Sequence, residues 1–396
     1  MQIAEIKKMF LETFGGEDKD LRVFASPGRV NLIGEHVDYC GGPVFPAALT
    51  MKTTIVARKR NDNKIRLKAT DLDILVEAEI GDLEKWKGKL KWGDYQLGVA
   101  IEMEKAGYTL TGCDLMYDDT VPHGGGLSSS AAIEVSTALM FAKFSNEAND
   151  KADAPINMVE MAKLSQLAEH NYIGVKCGIM DQFASAMGKA DHAIFLDCST
   201  LGYEHVPLNL GDCCLIISNT NKKHSLGASK YNERRAECEE GLKALQTVMP
   251  EIKQLADVSP EEFEQHKDVI TNPIVQKRIK HVVLECARVH KSVKALKDGD
   301  IEMFGQLMNA SHDSLQYDYE VSCDELDILA QEARKLPYVI GSRMTGAGFG
   351  GCTVSIVKTA HAQDFINTLD PLYEEKVGYK ASFYISDVGD GGMEIK

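Results

Sequence analysis

The 396-residue chain lacks an excess of positive charge: 44 Lys and Arg stand against 59 Asp and Glu, a formal net charge of −15. No basic block offsets that balance, which speaks against a nucleic-acid partner held through its phosphates. The ten cysteines form no C-x-x-C pair, and the neighbours Cys213 and Cys214 cannot bridge without strain. A zinc or disulfide framework is therefore not expected, and reduced thiols point to a cytoplasmic protein. The eleven histidines offer no H-E-x-x-H, and no G-x-x-x-x-G-K-[ST] phosphate loop occurs. No apolar run approaches membrane-spanning length, so no membrane partner is expected. Ile3, Ile6 and Phe10 recur as on one face of a helix, unlike the continuous apolar stretch of a signal segment. Internal repeats, low-complexity tracts and an evident linker are missing too.

What is present is an ordinary globular composition, 44% hydrophobic and 26% charged, in a chain long enough for two domains. Residues 53–57, 65–69, 75–79 and 114–117 read as strands, followed by a second set at 193–197, 214–218 and 352–357. Helical spacing runs over 128–144, 157–170, 232–248 and 275–296. Helices and strands alternate in both halves, which predicts an α+β fold of two packed lobes. The turn at 188–191 is the expected boundary, giving lobes 1–188 and 189–396.

The densest chemistry lies in residues 26–42, where Arg29, Glu35, His36 and Asp38 fall within ten residues of one another. Gly28, Gly34, Gly41 and Gly42 surround them and permit tight turns and close backbone approach. Carboxylates accept hydrogen bonds from hydroxyls, while Arg and His donate them, so the set suits a polyhydroxylated ligand. Charge pairing across a turn would not need the glycines.

Residues 121–135 bring Gly124, Gly125, Gly126, Leu127, Ser128, Ser129, Ser130 and Ala131 from a strand into a helix pattern. Several unpaired backbone N–H groups and the positive end of a helix dipole would face an anion there. The hydroxyls of Ser129 and Ser130 suit Mg²⁺ or a phosphate oxygen. Three glycines and three serines exceed what helix capping requires. A second glycine cluster at 341–351 contains a formal G-x-G-x-x-G at 346, 348 and 351. It leads into the strand-like Cys352–Val357 rather than a helix, which rules out a dinucleotide fingerprint. Asp181, flanked by Gly178, Ile179, Met180 and Phe183, would be partly desolvated. It serves equally as a helix cap, a buried partner or a proton acceptor. Tyr231 fits helix packing as well as a ligand contact, and Trp92 alone reads as core.

Residues 28–42 closely resemble the sugar signature of the galactokinases, departing only at Val37 and Cys40, where that family usually carries Thr and Asn. The segments at 121–135 and 341–351 are similar to the second and third motifs of the GHMP kinases, the superfamily that contains the galactokinases. Cys177–Gln182 and the Tyr231-x-x-Arg-Arg-x-x-Cys238 stretch match the same family, and the resemblance runs from about residue 20 to beyond 380. It implies a two-lobed GHMP-kinase fold with mixed sheets and helices in both lobes and the active site in the cleft between them. It implies ATP- and Mg²⁺-dependent phosphorylation of galactose at the 1-hydroxyl by a monomeric enzyme. Asp181 would be the base and Arg29 its catalytic partner. Glu35, His36, Asp38, Gly178, Asp181 and Tyr231 would contact the sugar. Trp92 and residues 124–131 would hold ATP, and Ser130 and Glu169 would ligate the metal. Two alternatives are a kinase for N-acetylgalactosamine or arabinose, and a non-catalytic galactose sensor of the kind that loses a Ser-Ala pair from the phosphate loop. Ser128–Ala132 is complete, which favours the enzyme.

Overall fold

The computed structural model describes residues 1–122, 124–222 and 227–396, without the side chains of Lys91 and of 227–229. His123 of the glycine segment and Ser225 and Leu226, ahead of Tyr231, lie outside the described residues. Strands β1 Arg22–Asn31, β2 Pro43–Val44, β3 Pro46–Lys59, β4 Lys64–Ala69, β5 Leu75–Glu79 and β6 Cys113–Asp119 fill the first part of the chain. β7 His192–Asp197, β8 Tyr203–Pro207, β9 Cys213–Asn219, β10 Val339–Thr345, β11 Cys352–Lys358, β12 Ser382–Ser386 and β13 Met393–Ile395 follow.

The described residues form three sheets. The largest runs β13-β1-β3-β6-β4-β5, with only β4 and β6 parallel. A four-stranded antiparallel sheet runs β10-β11-β9-β12, and a three-stranded one β2-β7-β8. The helix Ser129–Ala148 packs across β1 and β3. With Asp94–Lys105 and Met158–Ala168 it closes an apolar core over the large sheet, in which Phe24, Ile55, Leu115 and Phe141 are buried. That burial explains why β1 is covered along almost its whole length rather than alternating. Helices Pro273–Lys297 and Ile301–Ser314 pack beside the four-stranded sheet through Val289, Phe304 and Met308. We propose a lobe boundary after residue 188. Two strands beyond it reach back: β7 pairs with β2, and β13 adds to the edge of the first sheet at β1.

Three local irregularities place side chains in the cleft or directly behind its wall. The β1–β3 register shifts between Pro27 and Arg29, a bulge that turns the Arg29 side chain off the sheet. Gly28 is required at that bulge, because a Cβ there would stand 2.6 Å from the Leu127 carbonyl oxygen. The helix Met158–Ala168 widens into a π turn at Glu169–Ile173, and Ile301–Ser314 does the same at Leu315–Tyr319. Such turns rotate one residue out of the helical sequence of faces, and here they carry Glu169 and Tyr319.

Candidate active site

A cavity of about 340 Å³ opens between the two halves of the chain. It collects Arg29, Glu35, His36, Asp38, Gly124, Gly126, Ser130, Glu169, Gly178, Asp181 and Tyr231 from the expected site residues. The second glycine cluster adds Gly346, Ala347, Gly348 and Gly350. Leu127, Ser128, Ser129, Ala131 and Gly125 stand in the adjoining loop and helix start, outside the cavity lining. Trp92 lies apart from the cavity, 6.0 Å edge-on to Tyr117, against the core of the large sheet.

Arg29 and Asp181 form the centre. Arg29 Nε and Nη2 donate to the two Asp181 oxygens at 2.8 Å each, and Nη1 donates to the Gly126 carbonyl at 2.7 Å. Burial alone would lower the Arg29 guanidinium, but the charges of Asp181, Glu35 and Asp38 outweigh it and hold it fully ionised. Ser128 adopts a left-handed backbone at the start of the helix Ser129–Ala148. Its hydroxyl donates to Asp181 instead of capping that helix. The first-turn N–H groups therefore stay available to an anion.

On the far wall the side chains are tied to one another. Glu35 accepts from the Gly346 N–H at 2.7 Å and from Asn31 Nδ2 at 2.9 Å, with the buried Arg343 3.6 Å away. His36 Nε2 lies 3.1 Å from the Ala347 carbonyl, which can only accept, so Nε2 carries the proton. Burial, aided by the neighbouring His281, lowers His36 to about 3 and keeps it neutral. Nδ1 must then accept from the Tyr39 hydroxyl at 2.9 Å. The Tyr39 oxygen in turn accepts from Tyr319 at 2.7 Å, and the Tyr319 oxygen from the Cys238 thiol at 3.1 Å. Both ring nitrogens of His36 are thus committed to protein partners. Its ring packs 5.5 Å from Tyr231, which stands on the helix Gly227–Gln246. Asp38 accepts from the Tyr39 N–H at 3.0 Å. Burial, then the Asp181 charge, raises its carboxyl to about 7. Gly178 closes on it so tightly that a Cβ would fall 1.8 Å from the Asp38 Oδ2, which accounts for the glycine.

Glu169 is buried beside Ser130. Burial pushes its carboxyl up to about 7, the Ser130 hydrogen bond opposing and the Asp181 charge adding to the rise. Among the described residues no three His, Cys, Asp or Glu side chains converge into a metal cage. Mg²⁺ does not need one, since it keeps waters and is held through one or two carboxylates together with substrate phosphates. A hydroxyl, a carboxylate and a glycine loop in contact fit that donor set.

Asn31, Tyr39, Tyr319, Arg343, Glu134 and Gln182 belong to the site without having been singled out from sequence. Asn31, Tyr39 and Arg343 lie inside the motifs. Glu134 stands four residues after Ser130 on one helix face, a spacing that signals a shared surface. Nothing local marks Tyr319.

The lobed fold, the glycine loop leading into a helix and the carboxylates around it define a kinase of the GHMP class. The GHMP kinases N terminal domain matches residues 94–189, the GHMP kinases C terminal 292–373 and the galactokinase galactose-binding signature 8–59. The chain is 49% identical to a galactokinase of Clostridium acetobutylicum over 94% of both chains. It is 44% identical to one of Bacillus subtilis over 99% of both. It superposes on the crystal structure of Lactococcus lactis galactokinase complexed with galactose with a TM-score of 0.93, at 41% identity, covering 99% of this chain and 100% of that one. The chain belongs to the galactokinase family.

Proposed function

We propose that the protein transfers the γ-phosphoryl group of ATP to the 1-hydroxyl of galactose, giving galactose 1-phosphate and ADP. The observation that carries this is the cavity in which the Arg29–Asp181 pair stands between the sugar-signature side chains and the glycine loop. Asp181 takes the proton of the 1-hydroxyl as that oxygen attacks phosphorus. The Arg29 guanidinium and Ser128 hydroxyl fix the carboxylate and leave it one direction of approach. Arg29 also bridges to the Gly126 carbonyl, so the base and the phosphate loop move as one unit. Phosphoryl transfer asks more of positioning and charge than of base strength, and a rigidly held carboxylate suits that demand.

The N–H groups at 124–131 hold the phosphates, with Trp92 assigned to the nucleotide side. Ser130 and Glu169 hold Mg²⁺, which neutralises charge on the phosphate oxygens when bound. Asp38, Glu35, Gly178 and Tyr231 read the sugar hydroxyls, and His36 shapes the pocket with its ring face. The protein acts as a cytoplasmic monomer. ADP release by the purified protein, measured across galactose, N-acetylgalactosamine, arabinose and glucose, tests the reading. Galactose should stimulate release far above the others. ADP release independent of any sugar, or equal with every sugar, overturns it.

A further inference from the structure

Glu134 faces inward from the helix Ser129–Ala148 and is fully buried. Its Oε2 accepts from Gln182 Nε2 at 3.1 Å, and apart from its carboxyl–carboxyl bond to Glu169 it has no further donor among the described residues. On its other side it touches Glu169, which also contacts Ser130. Gln182 lines the cavity, and its own buried Oε1 has no partner among the described residues. Carbonyl and carboxylate oxygens are costly to bury without a donor or cation. Here the Gln182 oxygen has no donor and the Glu134 carboxyl has, beyond Gln182, only another carboxyl, Glu169, beside the glycine loop. Ser130 and Glu134 contact Glu169, and Gln182 bonds Glu134, an acceptor surface larger than a single metal-ligating carboxylate requires.

We propose that Glu134 is a positioning residue of the divalent-cation site, orienting Glu169 and accepting hydrogen bonds from the water carried by the ion, with Gln182 holding it in place. The inference rests on Glu169 being the metal ligand. Residues behind a ligating side chain fix its orientation and typically change metal affinity roughly 10- to 100-fold when altered.

The test uses Mn²⁺ as the probe, titrated into the full-length protein with ADP and followed by the electron-spin resonance of the free ion. Glu134→Gln should weaken Mn²⁺ binding at least about tenfold. Its ADP affinity in the presence of a chelator, measured by calorimetry, should stay at the wild-type value. Glu169→Gln is the control for the underlying assignment. If Glu169→Gln loses Mn²⁺ while Glu134→Gln binds it as wild type does, the role of Glu134 is overturned and that of Glu169 stands. If both variants keep wild-type Mn²⁺ affinity, the metal assignment itself is wrong and the inference falls with it. Should Glu134→Gln fail to fold, Glu134→Asp keeps the charge but withdraws it by one methylene, and the same outcomes decide.

Discussion

The two walls of the cavity are built on opposite plans. On the sugar-facing wall Glu35, His36 and Tyr39 are bonded within the protein itself, although the buried Arg343 behind them keeps Nε and Nη2 without a partner among the described residues. Glu35 is held by Gly346 and Asn31, His36 by Tyr39 and Ala347, and Tyr39 by a chain that runs through Tyr319 to Cys238. On the phosphate-facing wall, Ser128 spends its hydroxyl on Asp181 rather than on its helix, Gln182 buries an oxygen with no donor among the described residues, and Glu134 meets a second carboxyl, Glu169. The first wall is bonded within the protein around the ligand-facing side chains, and the second is half of a polar network. The difference teaches where binding energy goes. A rigid neutral ligand is best read by groups that need no rearrangement, whereas a polyanion and its cation bring their own charges and complete the site. Arg29 and Asp181 stand on the seam, bonded to each other and to Gly126.

Breaking the seam should produce the largest effect. Asp181→Asn keeps the shape and one acceptor oxygen but removes the proton acceptor, so turnover should fall roughly 10²–10⁴-fold. Galactose affinity by calorimetry should stay nearly unchanged, because the network of Glu35, His36 and Tyr39 does not pass through Asp181. Arg29→Ala would release the carboxylate and the Gly126 carbonyl together, and should damage both turnover and binding. If Asp181→Asn turns over normally while Arg29→Ala does not, the seam works by charge and positioning alone, and Asp181 is not a base.

The same contrast explains what could be read from the sequence. Arg29, Glu35, His36 and Asp38 were legible because one contiguous stretch carries them, and residues 124–131 because a glycine run before a helix has few other uses. The strands from β3 to β6, the β7, β9 and β11 strands and the helices Ser129–Ala148, Met158–Ala168, Gly227–Gln246 and Pro273–Lys297 followed from periodicity, whereas Ile301–Ser314 and Ala362–Val377 were not foreseen. The supports of the sugar wall were not legible. Glu35 meets Arg343 and Gly346, residues more than three hundred positions away, and only the folded β10 brings them together. Tyr319 reaches Tyr39 from a π turn, a geometry that hydrophobic spacing does not encode. Trp92 shows the reverse case: its expected nucleotide role came from a motif, while its position in the fold is against the core of the large sheet.

A middle-sized effect should come from pH, and it sharpens the idea that the sugar wall is finished only in one charge state. Burial holds the Asp38 carboxyl at about 7, with the Asp181 charge adding to the rise. The ionised form accepts from a sugar hydroxyl more strongly than the protonated one, which spends one oxygen on its own proton. As the pH falls below 7, Asp38 takes up a proton and galactose binding weakens, approaching about tenfold per pH unit. Above that range the affinity levels off. Calorimetry without nucleotide or metal isolates the step from Glu169, which titrates in the same range. Asp38→Asn should bind galactose weakly and without the step, and should narrow the preference for galactose over glucose. That loss follows from an unpaired polar group costing about 1–3 kcal/mol. A flat wild-type profile would remove Asp38 from sugar recognition.

The smallest effect tests whether the hydrogen-bond chain behind His36 matters to the ligand or only to the fold. Tyr319→Phe keeps the buried ring, which packs 5.0 Å from His36 and 4.6 Å from His281, and deletes one hydroxyl. The Tyr39 oxygen then loses its donor and the Cys238 thiol its acceptor, while the Tyr39–His36 bond keeps its direction. A single internal hydrogen bond is worth about 0.5–1.5 kcal/mol net, so the galactose KM should rise roughly 2–10-fold. The ATP KM and kcat should not move, because the chain continues from His36 only to the Ala347 carbonyl and bonds none of Arg29, Asp181 or residues 124–131. A purely structural role would instead lower the melting temperature and leave the galactose KM where it was. A fall in kcat with an unchanged galactose KM would show that the two walls act as one unit.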